Sequence, residues 1–291
     1  MEENQITTGQ RSKMWFEKRH KRWSASVISK LMSEGAKVPK NAGGDGELVW
    51  KWGGAAKTAI FSKFMERLTD IIAKETPTTP EMQRGLDLEP LAIERFGELY
   101  MDYICIDSEK LVETGFILFP DDDGTREWED GYKGENSSAG ASPDQILLKQ
   151  SISEKKENFE IHADLGFKNV VSGIETKARG DEATHSHAYS LFDEKHDDFW
   201  QVQCQMHAVG AKYWYYLNFD DEKPSNWQLA VKKVPISPIH IQKMCTKIKD
   251  ADALIADYIT RCDGIEAMMP DERSVLLTGI REEIQGLKDK W

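Results

Sequence analysis

Apolar positions along the chain follow two rhythms. Phe61, Phe64, Met65, Leu68 and Ile72 recur at helical spacing, which predicts an amphipathic helix ended by Thr76-Pro77. Phe199, Val202, Met206 and Val209 mark one face of another helix. A further helical stretch covers Ala92 to Tyr100, with Pro90 at its first turn or at a kink, so that Glu89 sits at its beginning. Ser24 or Ser26 can cap a short helix running through Leu31 and Met32. Strand patterns fall at Leu111 to Phe119, Ser142 to Leu148, Val170 to Lys177, Tyr213 to Phe219 and Trp227 to Val234. Between these lie a glycine-rich loop from Gly35 to Gly54, a polar loop from Asp121 to Ser138 and a charged excursion over 150–169. The pattern from Pro238 onward is helical, and no internal repeat is visible. The expectation is an α/β fold with a central mixed sheet flanked by helices. Residues 1–291 would form a single domain, with a core of about 15–236 and a helical C-terminal extension of about 237–291.

Composition supports a packed core: 40% of the 291 residues are hydrophobic, with nine Trp, eight Tyr and eleven Phe. The sequence holds no apolar run of bilayer-spanning length, and Met1 to Gln10 is polar, so no membrane association and a cytoplasmic location are expected. Cys105, Cys204, Cys245 and Cys262 are isolated, without the paired spacing of a zinc ribbon or a redox dithiol, and read as reduced, packed thiols.

A net charge of −12 argues against nonspecific coating of nucleic acid. Against that background the segment Arg11 to Arg22 stands out. It carries Arg11, Lys13, Lys18, Arg19, Lys21 and Arg22 with Glu17 as its one acid, and suggests a polyanion-facing surface.

Ser142-Pro143-Asp144 opens one predicted strand and Glu175-Thr176-Lys177 closes the next. Alternate residues of a strand share a face, so Glu175 and Lys177 emerge side by side. Two carboxylates with the Thr176 backbone carbonyl form an oxygen donor set suited to Mg²⁺ or Mn²⁺. Such an ion activates water and stabilises an in-line displacement at phosphorus, while Lys177 orients or deprotonates that water. A surface salt bridge between Glu175 and Lys177 satisfies the same spacing.

The ordered series Trp15, Arg19, Ser24-Ala25-Ser26, Gly85, Glu89, Ser142-Pro143-Asp144, Glu175-Thr176-Lys177 and Trp200-Gln201-Val202-Gln203 resembles the lambda-exonuclease/YqaJ-type phage recombination nucleases of the PD-(D/E)xK superfamily. The likeness runs from about Trp15 to Asp220. It implies a restriction-endonuclease-like core and catalysis by Asp144, Glu175, Lys177 and Glu89. Asp144, Glu175, Glu89 and the Thr176 carbonyl would hold Mg²⁺, replaceable by Mn²⁺, as two ions per site. Arg19, Ser26, Ser142 and Gln201 would hold a 5′-phosphate; an arginine fork binds phosphate bidentately, and serine and glutamine add neutral donors. The implied function is 5′-to-3′ digestion of linear double-stranded DNA from 5′-phosphorylated ends, leaving 3′ single strands for phage recombination. A ring-shaped homo-oligomer, typically a trimer, and a single-strand annealing protein as partner are also implied, in the host bacterial cytoplasm if the chain is phage-encoded. Gln145 stands where that family usually has glycine, and the connection from Asp144 to Glu175 is longer than its pattern.

Other features have plainer readings. His185 and His187 lack a third ligand at zinc spacing, Asp121-Asp122-Asp123-Gly124 lacks the distal ligands of a calcium loop, and Trp50 and Trp52 suit core packing or base stacking. An iron–sulfur nuclease would need paired cysteines. Two rivals stay open at this level: another PD-(D/E)xK endonuclease, and a non-catalytic acidic DNA mimic that inhibits a nuclease.

Overall fold

The computed structural model describes residues 12–34, 52–72, 78–101, 103–107, 115–120, 137–149, 170–178, 192–196 and 198–287. Helix α1 (Lys13–Arg19) starts at Ser12, whose hydroxyl accepts from the Trp15 N–H at 3.1 Å. A two-residue strand, β1 (Trp23–Ser24), leads into α2 (Ala25–Leu31) with Ser24 at the cap position. Helix α3 (Gly54–Thr69) ends before Thr76-Pro77, because Asp70 turns left-handed at φ 55° and its N–H closes on the Glu66 carbonyl. Ile72 therefore lies beyond the helix.

The helix expected over Ala92 to Tyr100 is longer: α4 spans Pro80–Leu99. Thr79 caps it by accepting from the Met82 N–H at 3.2 Å, and Pro80 occupies the first turn, where a missing N–H costs nothing. Pro90 is interior, so Glu89 sits in mid-helix rather than at its beginning. The helix continues through this proline because Leu88, Ala92 and Phe96, on either side of it, bury one shared face.

The strands are β2 (Tyr103–Asp107), β3 (Ile117–Leu118), β4 (Ala139–Ala141), β5 (Gln145–Lys149) and β6 (Val170–Lys177). Helix α5 (Phe199–Val209) precedes β7 (Tyr213–Phe219) and β8 (Leu229–Pro235), and α6 (Pro238–Arg261) and α7 (Pro270–Gln285) follow. Three strands form one sheet in the order β1-β4-β3, and five form another in the order β2-β5-β6-β7-β8. Both are mixed: β6 and β7 run parallel, as do β1 and β4, and the other pairs are antiparallel. The strand expected from Ser142 thus begins only at Gln145, as β5. Ser142-Pro143-Asp144 carries the chain from β4 in one sheet to β5 in the other, and Pro143 has no N–H to give to a ladder.

Strand β6 occupies the middle of the five-stranded sheet, and two irregularities shape it. Leu147 pairs with Ser172 and Leu148 with Val170, so Val171 is the extra residue of a bulge. Gly173 admits the Trp214 ring: a Cβ there would meet Trp214 Cη2 at 2.2 Å and the Gln145 carbonyl at 2.6 Å. One face of the sheet packs Ile174, Leu147, Tyr215 and Leu217 against Phe96 of α4. The other face joins the large core, where Trp23, Phe64, Met206, Trp214 and Tyr216 pack with Ile255 of α6 and Ile284 of α7. The helical C-terminal extension after Pro238 contributes residues to this core.

Trp52 is buried in that core with the Lys247 ammonium 5.0 Å from its ring, which leaves no face for a nucleotide base. All four cysteines are free thiols, and Cys204, Cys245 and Cys262 are buried. Among the described residues no helix is long and apolar enough to cross a membrane. Trp50, His185, His187, Asp121 to Gly124 and the 150–169 excursion lie outside the described residues.

Candidate active site

Strand β6 delivers Glu175 and Lys177 to one face at its C-terminal end, and the Lys177 ammonium donates to Glu175 Oε1. Asp144 arrives from the crossing between the sheets, where its Oδ2 accepts the Thr176 backbone N–H at 2.7 Å. The aspartate is thereby latched to the strand between the other two residues. Helix α5 closes the group from above the sheet: Gln201 Nε2 donates to Glu175 Oε1 at 2.7 Å, and Lys177 Nζ lies 3.4 Å from Gln201 Oε1.

Two further residues belong to this group and were not among the sequence candidates. Gln205, one turn after Gln201, donates to Glu175 Oε2 and faces the Ser142 carbonyl at 3.5 Å. Its signal was the four-residue spacing from Gln201, which places both amides on one helix stripe. Asp198, at the start of α5, sits 3.9 Å from Lys177 Nζ through Oδ1 and accepts the Tyr216 hydroxyl at 2.7 Å through Oδ2.

Glu175 is only 2% exposed and Lys177 20% exposed, so this is not the solvated surface pair that spacing alone allowed. Burial, then the charges of Glu175 and Glu89, hold the Asp144 carboxyl well above its usual range; Lys177 and the Thr176 N–H offset this in part. Burial pulls the Lys177 ammonium down, but Glu175, Asp198 and Asp144 outweigh it and keep it above an ordinary lysine. Lys177 is therefore a firmly held cation among carboxylates.

This crowding bears directly on metal binding. Asp144 and Glu175 present oxygens, Glu89 adds a negative field from α4, and soft donors are absent from the group, which fits a hard divalent cation. Among the described residues no three Asp, Glu, His or Cys side chains are gathered closely enough to hold an ion alone. A cation here would complete its shell with a backbone carbonyl such as that of Thr176, with water and with substrate oxygens, as Mg²⁺ commonly does.

The basic segment contributes a second cluster. Arg19, the last residue of α1, lies with its guanidinium carbon 3.9 Å from the Trp15 ring centroid and donates to Ser24 Oγ at 2.9 Å. Ser24 Oγ and Ser26 Oγ are 3.4 Å apart. Trp15 Nε1 donates to Ser142 Oγ at 3.0 Å, which ties this cluster to the segment bearing Asp144. Burial lowers the Arg19 pKa to about 10, and the charge of Glu66 offsets part of that. Arg19 makes no ion pair among the described residues. Its neighbours are occupied locally: Lys13 pairs with Glu17, Lys21 with Asp70, and Arg22 donates to the Ser137 and Lys18 carbonyls. The described part of the segment is thus one half-buried arginine among neutralised or exposed charges, not a uniform basic surface.

No sequence-family model matches this chain, and no curated protein does. In three dimensions it is similar to the alkaline exonuclease LHK-Exo from Laribacter hongkongensis, with a TM-score of 0.60 at 19% identity over 88% of this chain and 98% of that one. The complex of LHK-Exo with dAMP matches equally, with a TM-score of 0.60. A looser likeness, with a TM-score of 0.45 at 16% identity over 83% of this chain and 98% of the other, is to a phage-related exonuclease from Haemophilus somnus 129PT. The fold is thus the mixed α/β fold of LHK-Exo.

Proposed function

We propose that this protein is a metal-dependent exonuclease that degrades linear double-stranded DNA 5′ to 3′ from 5′-phosphorylated ends, leaving 3′ single strands for recombination. The observation that carries this reading is the join between the two clusters. A half-buried arginine, without an ion pair among the described residues, rests on Trp15, and Trp15 is hydrogen-bonded to Ser142, two residues before Asp144. A terminal phosphate on the Arg19 cluster would lie beside the carboxylates, in the position an end-dependent nuclease requires. The likeness in fold to LHK-Exo, and that enzyme's complex with dAMP, support the same class of chemistry.

In this reading Asp144 and Glu175, with Glu89 and the Thr176 carbonyl, would hold Mg²⁺, replaceable by Mn²⁺, as two ions per site. A divalent cation supplies an acidified water and offsets the charge that gathers on the phosphate during displacement. The chain's own groups do the rest. Arg19, with Ser24, Ser26 and Ser142, binds the terminal phosphate through charge-assisted and neutral hydrogen bonds. Gln201 and Gln205 hold both oxygens of Glu175, fixing the carboxylate's orientation. Lys177 donates from its ammonium to the attacking water and steadies the charge that develops. Asp198, braced by Tyr216, keeps that ammonium in place.

A ring of three copies would let basic residues line a DNA channel while the acidic remainder faces outward, and a single-strand annealing protein would take up the 3′ strand. The host bacterial cytoplasm is the corresponding location. The test is digestion of linear 5′-phosphorylated duplex, linear 5′-hydroxyl duplex and closed circular DNA, with Mg²⁺ or with chelator. Loss of the linear substrates only with Mg²⁺, faster from 5′-phosphate, supports the reading. Cutting of the circle would make the protein an endonuclease, and degradation in chelator would remove the metal site.

A further inference from the structure

Helix α3 buries Ala56, Ala59, Ile60 and Phe64, and on the same face it buries a lysine. The Lys63 side chain is 8% exposed, and its ammonium is 2.5 Å from Glu66 Oε2. Glu66 also accepts the Lys21 backbone N–H at 2.6 Å and contacts His20 Nδ1 at 3.1 Å. Both of those residues directly follow Arg19 at the end of α1, so Glu66 stands between the Arg19 cluster and Lys63. The other cations nearby have their own carboxylates: Arg67 pairs with Asp252 at 2.7 Å and Lys21 with Asp70 at 2.6 Å. Among the described residues Lys63 pairs with Glu66 and with no other acid, and the charge of Glu66 is also the one that acts on Arg19, which has no ion pair of its own. The group of half-buried Arg19, buried Lys63 and half-buried Glu66 thus carries one positive charge in excess.

An apolar face does not hold a buried ammonium without a counter-charge, so Lys63 must be satisfied or used. Burial holds the Lys63 ammonium below its usual range; Glu66 opposes this, while Arg67 and Arg19 add to it. An anion arriving at Arg19 would relieve both cations together. A terminal phosphomonoester brings close to two negative charges at neutral pH, whereas a phosphodiester within the chain brings one.

We propose that Lys63 is a second cation of the end-phosphate pocket, restrained by Glu66, and that Arg19 and Lys63 together make the pocket selective for a phosphomonoester dianion. This rests on the reading of the Arg19 cluster as that pocket. Glu66 competes with the phosphate for Lys63 and so sets how strongly a terminal phosphate is preferred.

The experiment is equilibrium binding, in chelator so that no hydrolysis occurs, of short duplexes carrying either a 5′-phosphate or a 5′-hydroxyl. Wild type, Lys63→Met, Lys63→Arg and Glu66→Gln are compared, with circular dichroism melts to confirm folding. Wild type is expected to prefer the phosphate. Lys63→Met lowers that preference about tenfold, the worth of one charge-assisted hydrogen bond. Lys63→Arg retains it, and Glu66→Gln raises it by freeing Lys63. A preference unchanged in folded Lys63→Met, or lowered in Glu66→Gln, overturns the proposal and leaves the pair as a clamp between α1 and α3. If Lys63→Met does not fold, the direction of the Glu66→Gln change decides alone. Absence of any preference in wild type would instead overturn the phosphate-pocket reading, and this inference with it.

Discussion

The indole of Trp15 donates to Ser142 Oγ at 3.0 Å, joining residues 127 positions apart and holding the first turn of α1 against the crossing that carries Asp144. The same ring supports the Arg19 guanidinium, so one side chain ties the Arg19 cluster to the carboxylates. Trp15→Phe keeps an aromatic surface and removes the N–H. It should cost about 1 kcal/mol of stability in urea denaturation and lower the preference for 5′-phosphate ends several-fold. Equal rates on both kinds of end in wild type would show that the join has no part in end recognition.

Glu175 and Lys177 are a buried ion pair, and removing one member strands the other. Lys177→Ala should destabilise the chain by about 3 kcal/mol and lower hydrolysis at least about 100-fold, since an acid–base group contributes that much or more. The double variant Glu175→Gln/Lys177→Met should recover much of the stability and none of the activity. Recovery of hydrolysis in the double variant would take both residues out of the chemistry.

Asp144 should govern the response to pH and to metal. Its folded-state pKa is raised, by burial first and then by Glu175 and Glu89. Between the ordinary aspartate value and that raised value the folded chain holds more protons than the unfolded one. Stability in chelator therefore falls as pH rises through this window, and levels off above it. Mg²⁺ at about 100 times its dissociation constant should restore about 2.7 kcal/mol at neutral pH and less in acid. Asp144→Asn should melt higher than wild type in chelator and gain little from Mg²⁺. An undiminished gain in that variant would place the cation elsewhere.

Much of this was legible in the sequence where pattern and chemistry agreed. The helix through Phe61 and Phe64 and the strands Val170 to Lys177 and Tyr213 to Phe219 form where the sequence predicts them, and beyond its bulge β6 presents Glu175 and Lys177 on one face. The misreadings share a cause: tertiary packing overrode a local signal. Pro90 reads as a helix boundary, yet Leu88, Ala92 and Phe96 bury one face across it. Tyr103 to Asp107 is too short to announce a strand without its partner β5. Gln205 reads as a boundary residue because its value lies in a carboxylate 30 positions away, a contact no local window contains. The three-residue spacing of Lys63 and Glu66 is that of a common helix-surface pair, and only burial marks them out.

The central claim is that Asp144, Glu175 and Lys177 form the hydrolytic centre of an end-dependent nuclease. The most direct test is the rate at which wild type and Asp144→Asn, both confirmed as folded, release nucleotides from linear 5′-phosphorylated duplex DNA in Mg²⁺. The account predicts steady release by wild type and a loss of at least about 100-fold in the variant, as expected when a metal-holding carboxylate of the reaction is removed. Comparable release by both proteins would contradict it.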